Sequence, residues 1–190
     1  MIDTVTTDPM WAVGFAAVAL LVIGRLYLGP ERFNRVAWGP LRRTLLPVLD
    51  RVAKHAVGEE WYTAYDVNED ELVAVVDIPP DAVVSDLEAA GFIPEPLAAV
   101  KTDWTGRAEA ASYAYHHGDK PFPGAPEWLR ERQVHVTLFE RDDGTAITAH
   151  DEYNSWVPWL WREHYRGIGY DIEAGVNNAA ALLDINPAGR

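Results

Sequence analysis

Gln133-Val134-His135-Val136-Thr137-Leu138-Phe139-Glu140-Arg141 and Thr145-Ala146-Ile147-Thr148-Ala149-His150-Asp151-Glu152, joined by Asp142-Asp143-Gly144, form the stretch that decides the fold. Two alternating, β-rich runs around Asp-Asp-Gly are a strong hairpin signal. With Asp143-Gly144 as a two-residue turn, His135 faces Glu152 across the ladder and Thr137 faces His150. Period-two alternation then puts these four side chains on one side of the sheet. Val134, Val136, Leu138, Ile147 and Ala149 take the other side, which reads as core. A three-residue loop would slip the register by one and send the two histidines to opposite faces.

Two histidines and a carboxylate with open positions form a ligand set for zinc or non-haem iron. His135, His150 and Glu152 are the candidate metal ligands, and His164, twelve residues on, is a further one. The same groups serve general acid–base chemistry, because histidine titrates near neutral pH. The competing reading is a solvated sheet face with one cross-strand His–Glu pair, worth a few tenths of a kcal/mol. His116 and His117 are adjacent on a strand and so point to opposite faces.

Past the hairpin, residues 153–169 are aromatic and irregular. Trp156, Trp159, Trp161 and Tyr165 are the candidate partner-binding residues, since such density is typical of interaction hot spots. It is equally typical of a long loop pinned over a core. Asp171 to Asp184 has helical periodicity and is stopped by Asn186-Pro187.

Before the hairpin, Trp61 to Val67 and Glu71 to Ile78 read as strands separated by Asn68-Glu69-Asp70. Pro79-Pro80-Asp81 opens a helix whose apolar face is Val83, Val84, Leu87 and Ala90, and Gly91-Phe92 closes it as a Schellman stop. Leu97 to Trp104 and Arg107 to His116 read as strands around Thr105-Gly106. Residues 117–126 are a Pro/Gly loop, followed by a short helix over 127–132. The expectation is an α+β fold over residues 59–190: a two-layer domain of antiparallel hairpins with two helices packed on one face.

Upstream of the domain lies an apolar run at 9–28, free of charge from Pro9 to Gly24. Twenty helical residues rise about 30 Å, the thickness of a bilayer's hydrocarbon core. This run is expected to be a transmembrane helix, with Trp11 and Tyr27 at the two interfaces and Arg25 snorkelling. Residues 29–58 hold six Arg or Lys against two acids, while residues 1–8 hold no base. The positive-inside rule then places residues 1–8 outside and the domain in the cytoplasm of a single-pass membrane protein. The basic segment either lies on the membrane surface or packs on the domain.

The 29 acids and 16 bases of the chain give a net charge of −13, with only three lysines among the bases. An acidic domain of this kind repels nucleic acid, which excludes that partner. Self-repulsion of this size is relieved when molar salt shortens the screening length to about 3 Å. The composition resembles that of halophilic proteins, and a salt titration of folding is its check. There is no cysteine, so disulfides, thiol catalysis and thiolate metal sites are excluded.

Phosphate-binding glycine loops, a serine nucleophile elbow and an HExxH helix are absent from the sequence. The leading expectation is therefore a non-enzymatic binding or adaptor domain with no cofactor. Its partners would be the lipid bilayer and a protein at the membrane. The alternatives are a membrane-tethered hydrolase dependent on metal (zinc or iron) or on histidine, and a structural subunit of a membrane complex.

Overall fold

The computed structural model describes residues 64–186 throughout and, before them, 19–20, 23–29, 32–36, 42, 44, 47–48, 51, 54–55 and 58. The fold is α+β. Its strands are β1 (Ala64–Val67), β2 (Leu72–Val76), β3 (Ile93–Pro94), β4 (Val100–Asp103), β5 (Ala111–His117), β6 (Arg132–Arg141) and β7 (Gly144–Tyr153). Helices α1 (Pro80–Ala89), α2 (Trp161–Tyr165) and α3 (Ile172–Leu183) complete the labelled elements. An antiparallel five-stranded sheet has the order β2-β7-β6-β5-β3.

The long β6–β7 hairpin is the axis of this sheet, but its turn is Asp142-Asp143 rather than Asp143-Gly144. His135 pairs with His150, Gln133 with Glu152 and Thr137 with Thr148. Relative to the expected pairing, the partner strand is displaced by two residues, which preserves the face of every side chain. Gly144 is drawn into the ladder opposite Arg141, because a Cβ there would lie 2.0 Å from the Val76 carbonyl oxygen. Glycine is required twice over, by the adjoining β2 backbone and by its own positive φ of 130°.

One side of the sheet carries the main core. Val73, Tyr113, Val134, Val136, Leu138, Ile147 and Ala149 pack against Val83 and Leu87 of α1 and Val176, Ala179 and Ala180 of α3. Helix α1 starts with Pro80 at its first position, where the missing N–H costs nothing. It ends as expected: Phe92 N–H donates to Leu87 O at 2.9 Å and Gly91 N–H to Glu88 O at 3.1 Å. Helix α3 is capped by the Asp171 carboxylate, which accepts from Ala174 N–H at 2.9 Å.

The other side of the sheet is not open to water. A second, two-stranded sheet covers it, made by β1 and β4 pairing in parallel from Ala64↔Val100 to Val67↔Asp103. Two local expectations give way here. The run at 64–67 does not pair with β2, and the segments around Thr105-Gly106 share only the isolated bridge Thr102↔Ala108. The Asp103 carboxylate organises that bend instead, accepting from Thr105 N, Thr105 Oγ1 and Arg107 N at 2.7–2.9 Å. The chain thus leaves the hairpin and delivers β4 to the far side of the sheet. The helix expected over 127–132 is a 3₁₀ turn at Glu127–Leu129, with β6 starting at Arg132.

The segment after β7 is a 3₁₀ turn (Pro158–Leu160) running into α2, and it roofs the same side. Trp156 packs with Leu97 and Trp128 in a second apolar cluster, and Phe139, Ala146 and Val67 form a third. Between these two clusters lies a chamber lined by polar side chains.

Most of the apolar run at 9–28 lies outside the described residues, and Trp11 is among those. Among the described residues, no helix is long and apolar enough to cross a membrane. Within the basic segment, two arginines reach the domain: Arg35 pairs with Glu88 at 2.6 Å, and Arg42 with Glu109 at 2.5 Å. Arg42 also donates to the Ala98 carbonyl at 3.0 Å.

Candidate metal centre

Alternation along β6 and β7 sends His135, Thr137, His150 and Glu152 into the chamber, with Ser112 arriving from β5 beside them. All five are buried, His135 and His150 to 2% and 1% relative exposure, which rules out the solvated-face reading. Ligand atoms of His135, His150 and Glu152 lie within 4.8 Å of one another. Atoms sharing one ion at about 2.0–2.2 Å must lie within about 4.4 Å of one another, so shifts of a few tenths of an ångström would complete the site.

Each imidazole has a second partner that fixes its ring. His135 Nδ1 lies 2.8 Å from Glu152 Oε1, and its Nε2 lies 2.6 Å from Ser112 Oγ. A metal at Nδ1 would take the place of the proton shared with Glu152, with Nε2–H then donated to Ser112. His150 Nδ1 lies 2.8 Å from Glu71 Oε2 and 2.9 Å from the Tyr170 hydroxyl, leaving Nε2 facing Glu152 Oε1 at 3.6 Å. With Nδ1–H donated to Glu71, the Nε2 lone pair of His150 points into the group. A ring held by a carboxylate on one nitrogen and open on the other is the usual arrangement of a metal-ligating histidine.

The order Ser112–His135–Glu152 also has the hydrogen bonds of an acyl-transfer triad. Ser112 is fully buried, and its hydroxyl serves to orient the ring.

His164 enters from α2 and comes within 3.4 Å of Glu152 Oε2 through Nδ1. That nitrogen also lies 2.7 Å from the Tyr153 carbonyl, to which it must donate. An N–H donor has no lone pair for a metal, so His164 supports Glu152 rather than joining the ligands through this atom.

Sequence reasoning missed four charged or phenolic contributors. Glu71 caps the turn before β2, accepting from Asn68 N–H at 3.0 Å through one oxygen while the other meets His150. Asn68-x-x-Glu71 is a capping-box spacing, which was legible. Lys101 comes from β4 with its Nζ 3.2 Å from His135 Nδ1 and donating to Thr137 Oγ1 at 3.1 Å. Its one signal was scarcity, as one of three lysines in an arginine-rich chain. Tyr65 and Tyr170 flank His150, Tyr65 Oη lying 3.4 Å from Tyr170 Oη, and no local pattern pairs them.

The charges settle accordingly. Burial alone would raise the Glu152 carboxyl. The imidazoles of His164 and His150 and the hydrogen bond from His135 outweigh it and hold Glu152 well below the ordinary range. Glu71 is likewise held low against its burial, chiefly by the hydrogen bond with His150. Burial, with Lys101 beside it, holds His135 well below its usual value and therefore neutral, as a ligand must be. Burial also lowers Lys101 to about 8. Both tyrosine hydroxyls are raised by burial and stay protonated.

The chamber opens to solvent through a cleft of about 370 Å³ lined by Tyr65, Asn68, Lys101, His135, Glu152 and Tyr170 among others. This volume is within the range of small-molecule sites.

The aromatic stretch supplies structure. Trp156 is buried and donates to Glu95 Oε2 at 3.0 Å, and Tyr165 is buried and donates to the Leu97 carbonyl at 2.9 Å. Trp161 donates to Ser155 O at 2.5 Å, and Trp159 remains exposed.

Of the expected membrane-interface residues, Tyr27 is exposed, while Arg25 is buried in the domain. Its guanidinium lies 3.6 Å from the centre of a Trp156 ring and 4.8 Å from Trp128, and Nη1 donates to Asn34 at 3.2 Å. Stacking on two indoles replaces the lipid headgroups as its surroundings.

Comparison with protein-family models, with curated proteins and with solved structures finds no match to this chain, so its function is read from the chamber alone.

Proposed function

We propose that the chamber is the divalent-metal centre of a hydrolase acting on a small polar substrate, with His135, His150 and Glu152 as ligands. One observation carries this reading: three convergent ligand atoms beneath an open cleft, with each imidazole braced on its other nitrogen. Zinc or ferrous iron suits the donor set. Such an ion supplies Lewis acidity and a lowered pKa for bound water. The residues of the chain orient and neutralise: Glu71 and Ser112 hold the rings, and Lys101 offsets part of the charge of the two carboxylates.

This reading takes precedence over the adaptor reading because Trp156 and Tyr165 are spent on the core. The test is metal analysis of the full chain, purified in molar salt without chelator, beside a His135→Ala/His150→Ala variant. We expect about one equivalent of zinc or iron in the wild type and less than a tenth of that in the variant. Equal contents would end the proposal.

We propose further that residues 9–28 tether this enzyme to a membrane as a single-pass anchor. Leu20, Ile23 and Leu26, at the described end of the run, are all more than half exposed, so their apolar faces look away from the domain. In alkaline extraction of membranes the full chain is expected in the pellet, and its release to the supernatant would count against a tether.

A further inference from the structure

We infer that the cleft takes an anionic phosphate group, free or as an ester, and that Lys101 is the residue that selects it. The inference rests on the metal reading above. It begins with economy: a chain with 29 acids and only three lysines places one of the three in this chamber, 1% exposed. Burying an ammonium is costly unless something answers its charge. The carboxylates of Glu152, Glu71 and Glu109 answer that charge in part through space, but its hydrogen-bond partners among the described residues are neutral: Thr137 Oγ1, and the His135 ring, whose two nitrogens Glu152 and Ser112 already engage. An ammonium has three donors, and Lys101 lines the cleft.

The charge of the site points the same way. Glu71 and Glu152 bring two negative charges and Lys101 one positive, so a divalent ion leaves the chamber with one positive charge. An excess of one positive charge at the foot of a cleft favours an anion. Without the ion the same groups sum to one negative charge, which repels an anion. Tyr65, Tyr170 and Asn68 line the same cleft and offer neutral donors suited to phosphoryl oxygens. A lysine ammonium among such donors is a common phosphate anchor.

The test uses full-length protein in molar potassium chloride, where chloride saturates exposed cations and leaves the chamber to report. Inorganic phosphate is titrated by ³¹P line broadening into zinc-loaded wild type, chelator-treated wild type and zinc-loaded Lys101→Met, with zinc measured on each sample. We expect one phosphate per chain in the loaded wild type and at least tenfold weaker binding in both other samples, with zinc retained by the variant. Lys101→Gln replaces Lys101→Met if the latter loses its near-ultraviolet circular dichroism. Release of nitrophenolate from 4-nitrophenyl phosphate would identify an ester substrate, and phosphate binding without release a free anion. Zinc retained with phosphate bound equally well by the Lys101 variant would overturn this inference alone. Absence of zinc from the wild type would remove the metal reading and this inference with it.

Discussion

Gly175→Ala is expected to be the most damaging single-methyl change in the domain. A Cβ at this position of α3 would lie 2.1 Å from His150 Cα, 2.2 Å from His150 C and 2.4 Å from Asp151 N. These are backbone atoms of the central hairpin, so no rotamer change relieves the clash. Either the helix lifts from the sheet or β7 moves. Overpacked cores lose roughly 1–3 kcal/mol where side chains can give way, and a clash of helix against strand backbone should cost about 3 kcal/mol or more. Val176, Ala179 and Ala180 would lose their packing with it. His150 stands at the point of contact, so metal affinity should fall together with stability. Urea unfolding of the variant in molar salt is the measurement, and a midpoint equal to wild type would show that the helix sits less tightly on the hairpin.

Acid is expected to unfold the protein through the chamber, starting well above the carboxylate range. The folded-state value of His135 is held below its usual 6.5. The unfolded chain therefore binds a proton there that the folded chain refuses, and stability is lost as pH falls below about 6.5. Glu152 and Glu71 are depressed below 4.5, so their contribution is present above that value and is lost as pH falls through it.

His116, lowered to about 3 by burial, adds to the loss in the same direction below about 6.5. Two further shifted groups act differently. Glu95, raised mainly by burial, works in the opposite sense and offsets part of the loss. Lys101 is lowered from 10.5 to about 8, so its cost is complete below that pH and adds no slope in acid. A tenfold difference in proton affinity between the folded and unfolded chain is worth about 1.4 kcal/mol. Chelator-treated protein should therefore lose stability steadily as pH falls from about 6.5 to 4, read from urea midpoints across the series. Glu152→Gln should flatten the part of the curve below 4.5. A wild-type curve flat from about pH 7 to 4 would contradict the buried, neutral state of His135.

The candidate ligands were legible because they share one hairpin. Alternation alone puts His135, His150 and Glu152 on a common face, and this survived a turn placed one residue too late. The displacement of the partner strand was even, and only an odd slip flips a face. His164 was legible as a neighbour but not in its role, since its bond to the Tyr153 carbonyl depends on where α2 docks. Glu71 and Lys101 escaped for a related reason. They stand 79 and 34 residues from the histidines they touch, and nothing local ties them there.

By itself the sequence determined the elements whose signals are short-range. These are the β6–β7 hairpin with its apolar and polar faces, helix α1 with its proline start and glycine stop, helix α3 with its aspartate cap, and the absence of any thiol chemistry. Whether the polar face meets water was decided only by the tertiary structure. That depends on β4 leaving its neighbour to pair in parallel with β1, and on the aromatic stretch folding over the gap. Parallel pairing between residues 64–67 and 100–103 has no turn to announce it, because the chain must make a long crossover before the two strands meet. Burial under that cover turns a surface pair of histidines into a neutral, braced ligand set.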